Sequence, residues 1–113
     1  MSTRLPGARY ACIFDGGRSV KGRLLVAWAL QVPTADRKAG VVVSKKSFRH
    51  AVDRNRAKRL LREAYRLLAK TEAVPSGVEW IFIGRARMKD KSCAEVMAEM
   101  RWAVSRLVGE WTA

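Results

Sequence analysis

Hydrophobic and polar positions recur at different periods along this chain, and each period predicts an element. Val78 to Ile83 is β-branched or aromatic except at Glu79 and reads as a strand. Arg23 to Val32 is rich in aliphatics, stops at Pro33 and reads as another. Val41 to Val43, after Gly40, is a β-branched run that predicts a buried strand. Between these two lies a polar stretch, Thr34 to Lys38, expected to be a loop carrying Asp36. Ser19 to Gly22 fits either the start of the first strand or an arm of a hairpin.

Two longer segments keep a helical period. Stepping about 100° per residue from Asp53 to Lys70 puts Ala57, Leu60, Leu61, Ala64, Leu67 and Leu68 on one side. Asn55, Lys58, Arg59, Arg62 and Arg66 fall on the other, and Asp53 is the expected N-cap. Pro75 and Gly77 end this unit. From Ser92, an expected cap, to about Val108, one face carries Cys93, Val96, Met97, Met100, Ala103, Val104 and Leu107, while Trp102 points away. Tyr10 to Phe14 predicts a short helix stopped by Gly16 and Gly17. The order is short helix, two or three strands, helix, strand, helix. With the helices on one face of a small sheet, this is an α/β two-layer sandwich in a single domain spanning 1–113, with 1–9 expected to be flexible.

Charge changes the picture most. Lys and Arg number 23 against 10 Asp and Glu, a formal net charge of +13. A small domain that repels itself this strongly fits a polyanionic partner. The cations concentrate on one helix and its approach: Lys45, Lys46, Arg49, then Arg54, Arg56, Lys58, Arg59, Arg62 and Arg66, with His50 and Asn55 among them. A merely solvated helix mixes signs, because like charges a turn apart repel. Here Glu63 is the main relief, and arginine, suited to bidentate phosphate contact, predominates. Tyr10 and Phe14 share a helix face and Trp28 sits mid-strand, so the three rings serve either as core or as stacking platforms for unpaired bases.

Other chemistry is thin. His50 is the sole histidine, the acidic residues are scattered, and no nucleophile–base pair or Gly-rich phosphate loop is present. Cys12 and Cys93 stand alone and are expected to be buried small hydrophobes. The first nine residues lack the apolar run of a signal peptide, and Leu24 to Leu30 is too short to cross a bilayer. A cytoplasmic protein without a membrane partner is expected.

The run Ala51-Val52-Asp53-Arg54-Asn55-Arg56-Ala57-Lys58-Arg59-Leu60-Leu61-Arg62-Glu63-Ala64-Tyr65-Arg66 resembles the signature of the bacterial ribonuclease P protein. Gly40-Val41-Val42-Val43-Ser44-Lys45-Lys46 resembles that family's strand and basic turn, and Tyr10 to Phe14 with Gly17 and Ser19 resembles its N-terminal segment. Tyr10 replaces the usual phenylalanine, Trp28 a frequent tyrosine, and the interval from Leu5 to Tyr10 is one residue shorter than the pattern. The resemblance implies the order αβββαβα with a left-handed β-α-β crossover, against the general handedness rule. It implies a non-catalytic subunit, monomeric in a 1:1 particle, that assists tRNA 5′ maturation by a catalytic RNA. Magnesium is then held mainly by that RNA, and no organic cofactor is needed. It assigns RNA contact to Lys45, Lys46, Arg49, Arg54, Asn55, Arg56, Lys58, Arg59, Arg62 and Arg66. Tyr10, Phe14 and Trp28 would line a cleft for the 5′ leader of precursor tRNA. A structural RNA-binding protein, such as a ribosomal component, is the alternative.

Overall fold

The structure, a computed structural model, describes residues 4–34, 37–71 and 73–112. Helix α1 (Ala8–Gly16) leads into strands β1 (Arg18–Lys21), β2 (Leu25–Gln31) and β3 (Arg37–Val42). Helix α2 (Ala51–Ala69), strand β4 (Val78–Gly84), a 3₁₀ turn (Ala86–Met88) and helix α3 (Cys93–Thr112) follow. The element order is the αβββαβα expected. The ambiguous Ser19–Gly22 stretch belongs to β1 and its hairpin turn. The four strands form one mixed sheet in the order β1-β2-β4-β3, with β3 parallel to β4 and the other pairs antiparallel. Helix α2 is therefore the crossover of a parallel β-α-β unit.

The central strands β2 and β4 are the most apolar: one face of each is buried under α2 and α3, and the other is partly covered by α1. Alternate residues of β4 split between two cores. Val78, Trp80 and Phe82 join Leu61, Leu68, Met100 and Leu107 of α2 and α3. Ile81 points the other way and packs with Ile13 of α1 and Leu5. Helices thus lie on both sheet faces, not on one: the apolar set Trp28, Ile81, Ile83 also needs cover, and α1 supplies part of it.

Several local expectations change for physical reasons. The segment expected to be flexible is tied down from Arg4 onward; Met1 to Thr3 lie outside the described residues. Leu5 is buried, its N–H donates to the Ala39 carbonyl at 3.1 Å, and Arg9 pairs with the buried Glu79 at 2.8 Å. That carboxylate raises the Arg9 pKa by hydrogen bonding and by its charge. Arg37 and Lys38 belong to β3 rather than to a loop. An edge strand tolerates charge, which also discourages pairing with other chains. Ala35 and Asp36 lie outside the described residues. Cys12 is exposed and Cys93 half-buried, so neither is the core residue expected. Helix α1 turns Ile13 into the sheet, and its neighbour Cys12, a 100° step away, faces solvent.

Helix α2 begins at Ala51, so Asp53 lies in its first turn and is not the cap; His50 holds that position without a side-chain capping bond. Asp53 still complements the helix dipole and sits 3.7 Å from the Lys89 Nζ. Ser92 caps α3 as expected, in a reciprocal box: its Oγ accepts from the Glu95 N–H, and its own N–H donates to the Glu95 carboxylate at 2.7 Å. Hydrogen bonding of the Ser92 N–H, and then of its side chain, to the carboxylate holds the Glu95 pKa below its ordinary value.

Tyr65 of α2 buries its ring against Phe82 and donates its hydroxyl to the Arg37 carbonyl at 3.0 Å, fastening α2 to the edge strand. Burial pushes its pKa up from 10.0 to about 12. The unfolded chain ionises this phenol near 10 and the folded chain only near 12, so the folded state binds more protons between them. Stability is expected to be full below pH 10 and to fall as pH rises toward 12. Denaturant midpoints measured across this range should drop for the parent, and Tyr65→Phe should flatten that drop.

Candidate nucleic-acid interface

Sequence dictates the polar side of α2 through one competition. Ala57, Leu61, Ala64, Tyr65 and Leu68 are needed by the core, so the residues between them face out. Asn55, Arg59 and Arg62 are exposed and Lys58 is half-exposed. With Arg66 they line one side of a groove of about 530 Å³ whose other wall is Arg4, Ala39 and Val41 beside β3. Among the described residues, no carboxylate pairs with Lys58, Arg59 or Arg62. Glu63, the one acid in the groove, is bound to Arg66 at 2.6 Å, which holds its pKa below the usual carboxylate range.

The structure separates the ten expected RNA-facing residues by what they already touch. Lys45, Lys46 and Arg49 are exposed in the turn that feeds α2, where the Ser44 Oγ accepts from the Ser47 N–H. With Asn55, Lys58, Arg59 and Arg62 they form a cationic surface open to a ligand. Arg54 is half-buried and donates to the Phe48 and Arg49 carbonyls at 2.9 and 3.0 Å, so it braces the turn. Arg56 donates to the Lys91 carbonyl at 3.1 Å and ties α2 to the approach of α3. Arg66 is half of an ion pair. Periodicity places a side chain on a face; it does not reveal which backbone carbonyl that side chain will find.

The three expected aromatics converge on the opposite face of the sheet. Register puts Trp28, Ile81 and Gly40 in one row across β2, β4 and β3. Phe14 meets the Trp28 ring edge-on at a centroid distance of 5.2 Å and remains 40% exposed. Tyr10 lies over Gly40, where an added Cβ would collide with its ring, so glycine is required for this close approach. The next row, Val26, Ile83 and Val42, is only partly covered and leads toward Ser44 and Lys45. Tyr10 and Trp28 are half-buried against the small core of Ile13 and Ile81, so packing and an open ring edge coexist here.

The family model of ribonuclease P matches residues 6–108. The chain belongs to the ribonuclease P protein family. It is 40% identical over 87 residues to the ribonuclease P protein component of Pelotomaculum thermopropionicum, covering 77% of this chain and 75% of that one. It is 36% identical over 101 residues to that of Dehalococcoides mccartyi, covering 89% and 77%. Its fold superposes on the RNase P protein of Staphylococcus aureus with a TM-score of 0.77 at 25% identity, covering 94% and 95%. The protein of Thermotoga maritima shares the fold with a TM-score of 0.79 at 24% identity, covering 91% and 96%. These matches make the chain a ribonuclease P protein component, belonging to tRNA processing, and do not favour a ribosomal component. No helix among the described residues is long and apolar enough to cross a membrane.

Signals the sequence reading missed lie elsewhere on the surface. Lys21, Arg23, Arg85, Arg87, Lys91 and Trp102 line a second groove of about 970 Å³. They are scattered over some 80 positions; the β2–β4 register, Leu25 opposite Gly84, and the hold of Glu99 of α3 on the β1–β2 turn bring them together.

Proposed function

We propose that this chain holds the catalytic RNA of ribonuclease P through the basic face of α2 and the Lys45–Arg49 turn. The α1 side of the sheet, in this reading, takes the 5′ leader of precursor tRNA. The observation that carries it is the array of Lys58, Arg59 and Arg62, with Asn55, along one groove, where no carboxylate among the described residues pairs with these cations. Each phosphate such a cation neutralises releases counterions, which drives association at moderate salt. On the other face of the sheet, Phe14, Trp28 and Tyr10 offer aromatic rings suited to bases without regard to sequence.

The protein's part is then binding and orientation. His50 is exposed and has no partner base among the described residues. Near these surfaces Glu63 is bound to Arg66, Glu79 to Arg9 and Asp53 to Lys89, and among the described residues no three His, Cys, Asp or Glu gather where they could hold a metal ion. That is a poor donor set for a divalent metal pair. The reading therefore leaves magnesium and phosphodiester hydrolysis with the RNA, in a cytoplasmic particle of one protein and one RNA.

An NMR titration of the ¹⁵N-labelled chain tests the division of labour. A short single-stranded leader oligonucleotide should shift the amides of Tyr10 and Phe14 and the Trp28 indole. A structured fragment of the catalytic RNA should instead broaden amides from Lys45 to Arg66. Leader shifts confined to α2 would overturn the cleft assignment.

A further inference from the structure

We infer that the groove between the β1–β2 turn, the 3₁₀ turn and the start of α3 is a second RNA-binding site, for an unpaired nucleotide. It stacks the base on Trp102 and takes the flanking phosphates on Arg23, Arg87 and Lys91. The inference rests on the RNA-binding reading of α2 and extends it past the start of that helix.

Four observations carry it. The groove is lined by five cationic side chains against two acidic ones, Glu95 and Glu99. Both acids have structural work. Glu99 accepts the N–H groups of Arg23, Leu24 and Leu25 at 3.1, 2.6 and 2.8 Å and so shapes the hairpin turn; Glu95 closes the capping box of α3. Lys91 feels the Glu95 charge at a distance, but among the described residues no carboxylate forms an ion pair with Lys21, Arg23, Arg87 or Lys91. Arg85, by contrast, is anchored on the Gly22 carbonyl at 2.6 Å and serves as a strut.

The second observation is Trp102, an indole left 43% exposed on a helix whose other large apolar residues are buried or half-buried. Third, Arg106 lies 5.9 Å from the centre of its ring, adding positive charge to an aromatic surface. A π-face rimmed by cations in a concave site is an arrangement that suits single-stranded nucleic acid. Fourth, the groove joins the α2 surface. Arg56 of α2 donates to the Lys91 carbonyl, and Asp53 meets Lys89, so a polyanion lying along the start of α2 runs onto Arg87 and Lys91.

The test uses the full chain, a bacterial ribonuclease P RNA and precursor tRNA. Trp102→Ala, Trp102→Phe and the pair Arg87→Ala/Lys91→Ala are compared with the parent, with circular dichroism and thermal melts confirming the fold of each. Two affinities are measured across a salt series: chain for RNA subunit, and reconstituted particle for precursor tRNA. Trp102→Ala should weaken one of them by roughly 5- to 150-fold, the range expected for one lost base stack, and Trp102→Phe should restore most of it. The paired variant should lower the slope of log affinity against log salt by about two units. The affected arm names the source of the nucleotide, catalytic RNA or substrate. If the parent binds RNA and both affinities stay within about twofold in every variant, the second site is wrong while the α2 reading stands. If the parent ignores both RNAs, both readings fall. A Trp102 that answers to anionic phosphatidylglycerol vesicles and not to RNA overturns the site as an RNA site.

Discussion

Phe14→Ala is expected to weaken binding of leader-bearing precursor tRNA by roughly 1–3 kcal/mol, about 5- to 150-fold, while leaving mature tRNA unaffected. The ring is well placed for a selective loss. At 40% exposed it is not a core residue, and among the described residues its ring meets Trp28, nearly perpendicular to it at a centroid distance of 5.2 Å. Truncation leaves Ile13 and Ile81, which anchor α1 to the sheet, in place. A collapse of α1 would announce itself as a lower melting temperature and an equal loss on both substrates. Equal losses would assign Phe14 to packing alone.

Arg59→Ala/Arg62→Ala is the second large effect. Both residues are exposed, lie on the same groove and pair with no carboxylate among the described residues, so their removal leaves no orphaned partner behind. Stability should stay within about 0.5 kcal/mol of the parent, or rise as self-repulsion falls. Affinity for the RNA subunit should drop by about 30-fold near 0.15 M salt, and the salt slope by about two units, one for each lost phosphate contact. Arg54→Ala should behave differently. It removes the brace on the Phe48 and Arg49 carbonyls, so protein stability falls together with RNA affinity. Melting temperature and salt slope, measured on the same variants, separate the two roles.

Much of this was legible in the sequence where a single force dominates. β4 was found because nearly every residue in it is apolar, and α2 because its apolar and cationic residues segregate at one period. The edge strand β3 was cut short because Arg37 and Lys38 resemble loop residues when the sheet that holds them is out of view. The cap of α2 was misplaced because Arg54, not Asp53, secures the turn, and a guanidinium reaching back five or six residues leaves no periodic trace. Cys12 looked like a core residue by type, yet the face α1 presents was decided by Ile13. For the site, the basic face and the aromatic set were visible as residues. Their allocation was not: Arg56 and Arg66 resembled Arg59 and Arg62 until the Lys91 carbonyl and Glu63 were seen to occupy them. The groove around Trp102 leaves no trace in the sequence because its parts meet only through strand register and the docking of α3 on the β1–β2 turn.

Reconstitution with a bacterial ribonuclease P RNA is the most direct trial of the whole account. Cleavage of precursor tRNA is followed at magnesium too low for the RNA to act well alone. Adding the chain should restore cleavage at the mature 5′ end, and Arg59→Ala/Arg62→Ala should restore it only at higher protein concentration. An RNA whose cleavage is the same with and without the chain would contradict the claim that this cationic helix is built to sit on the RNA.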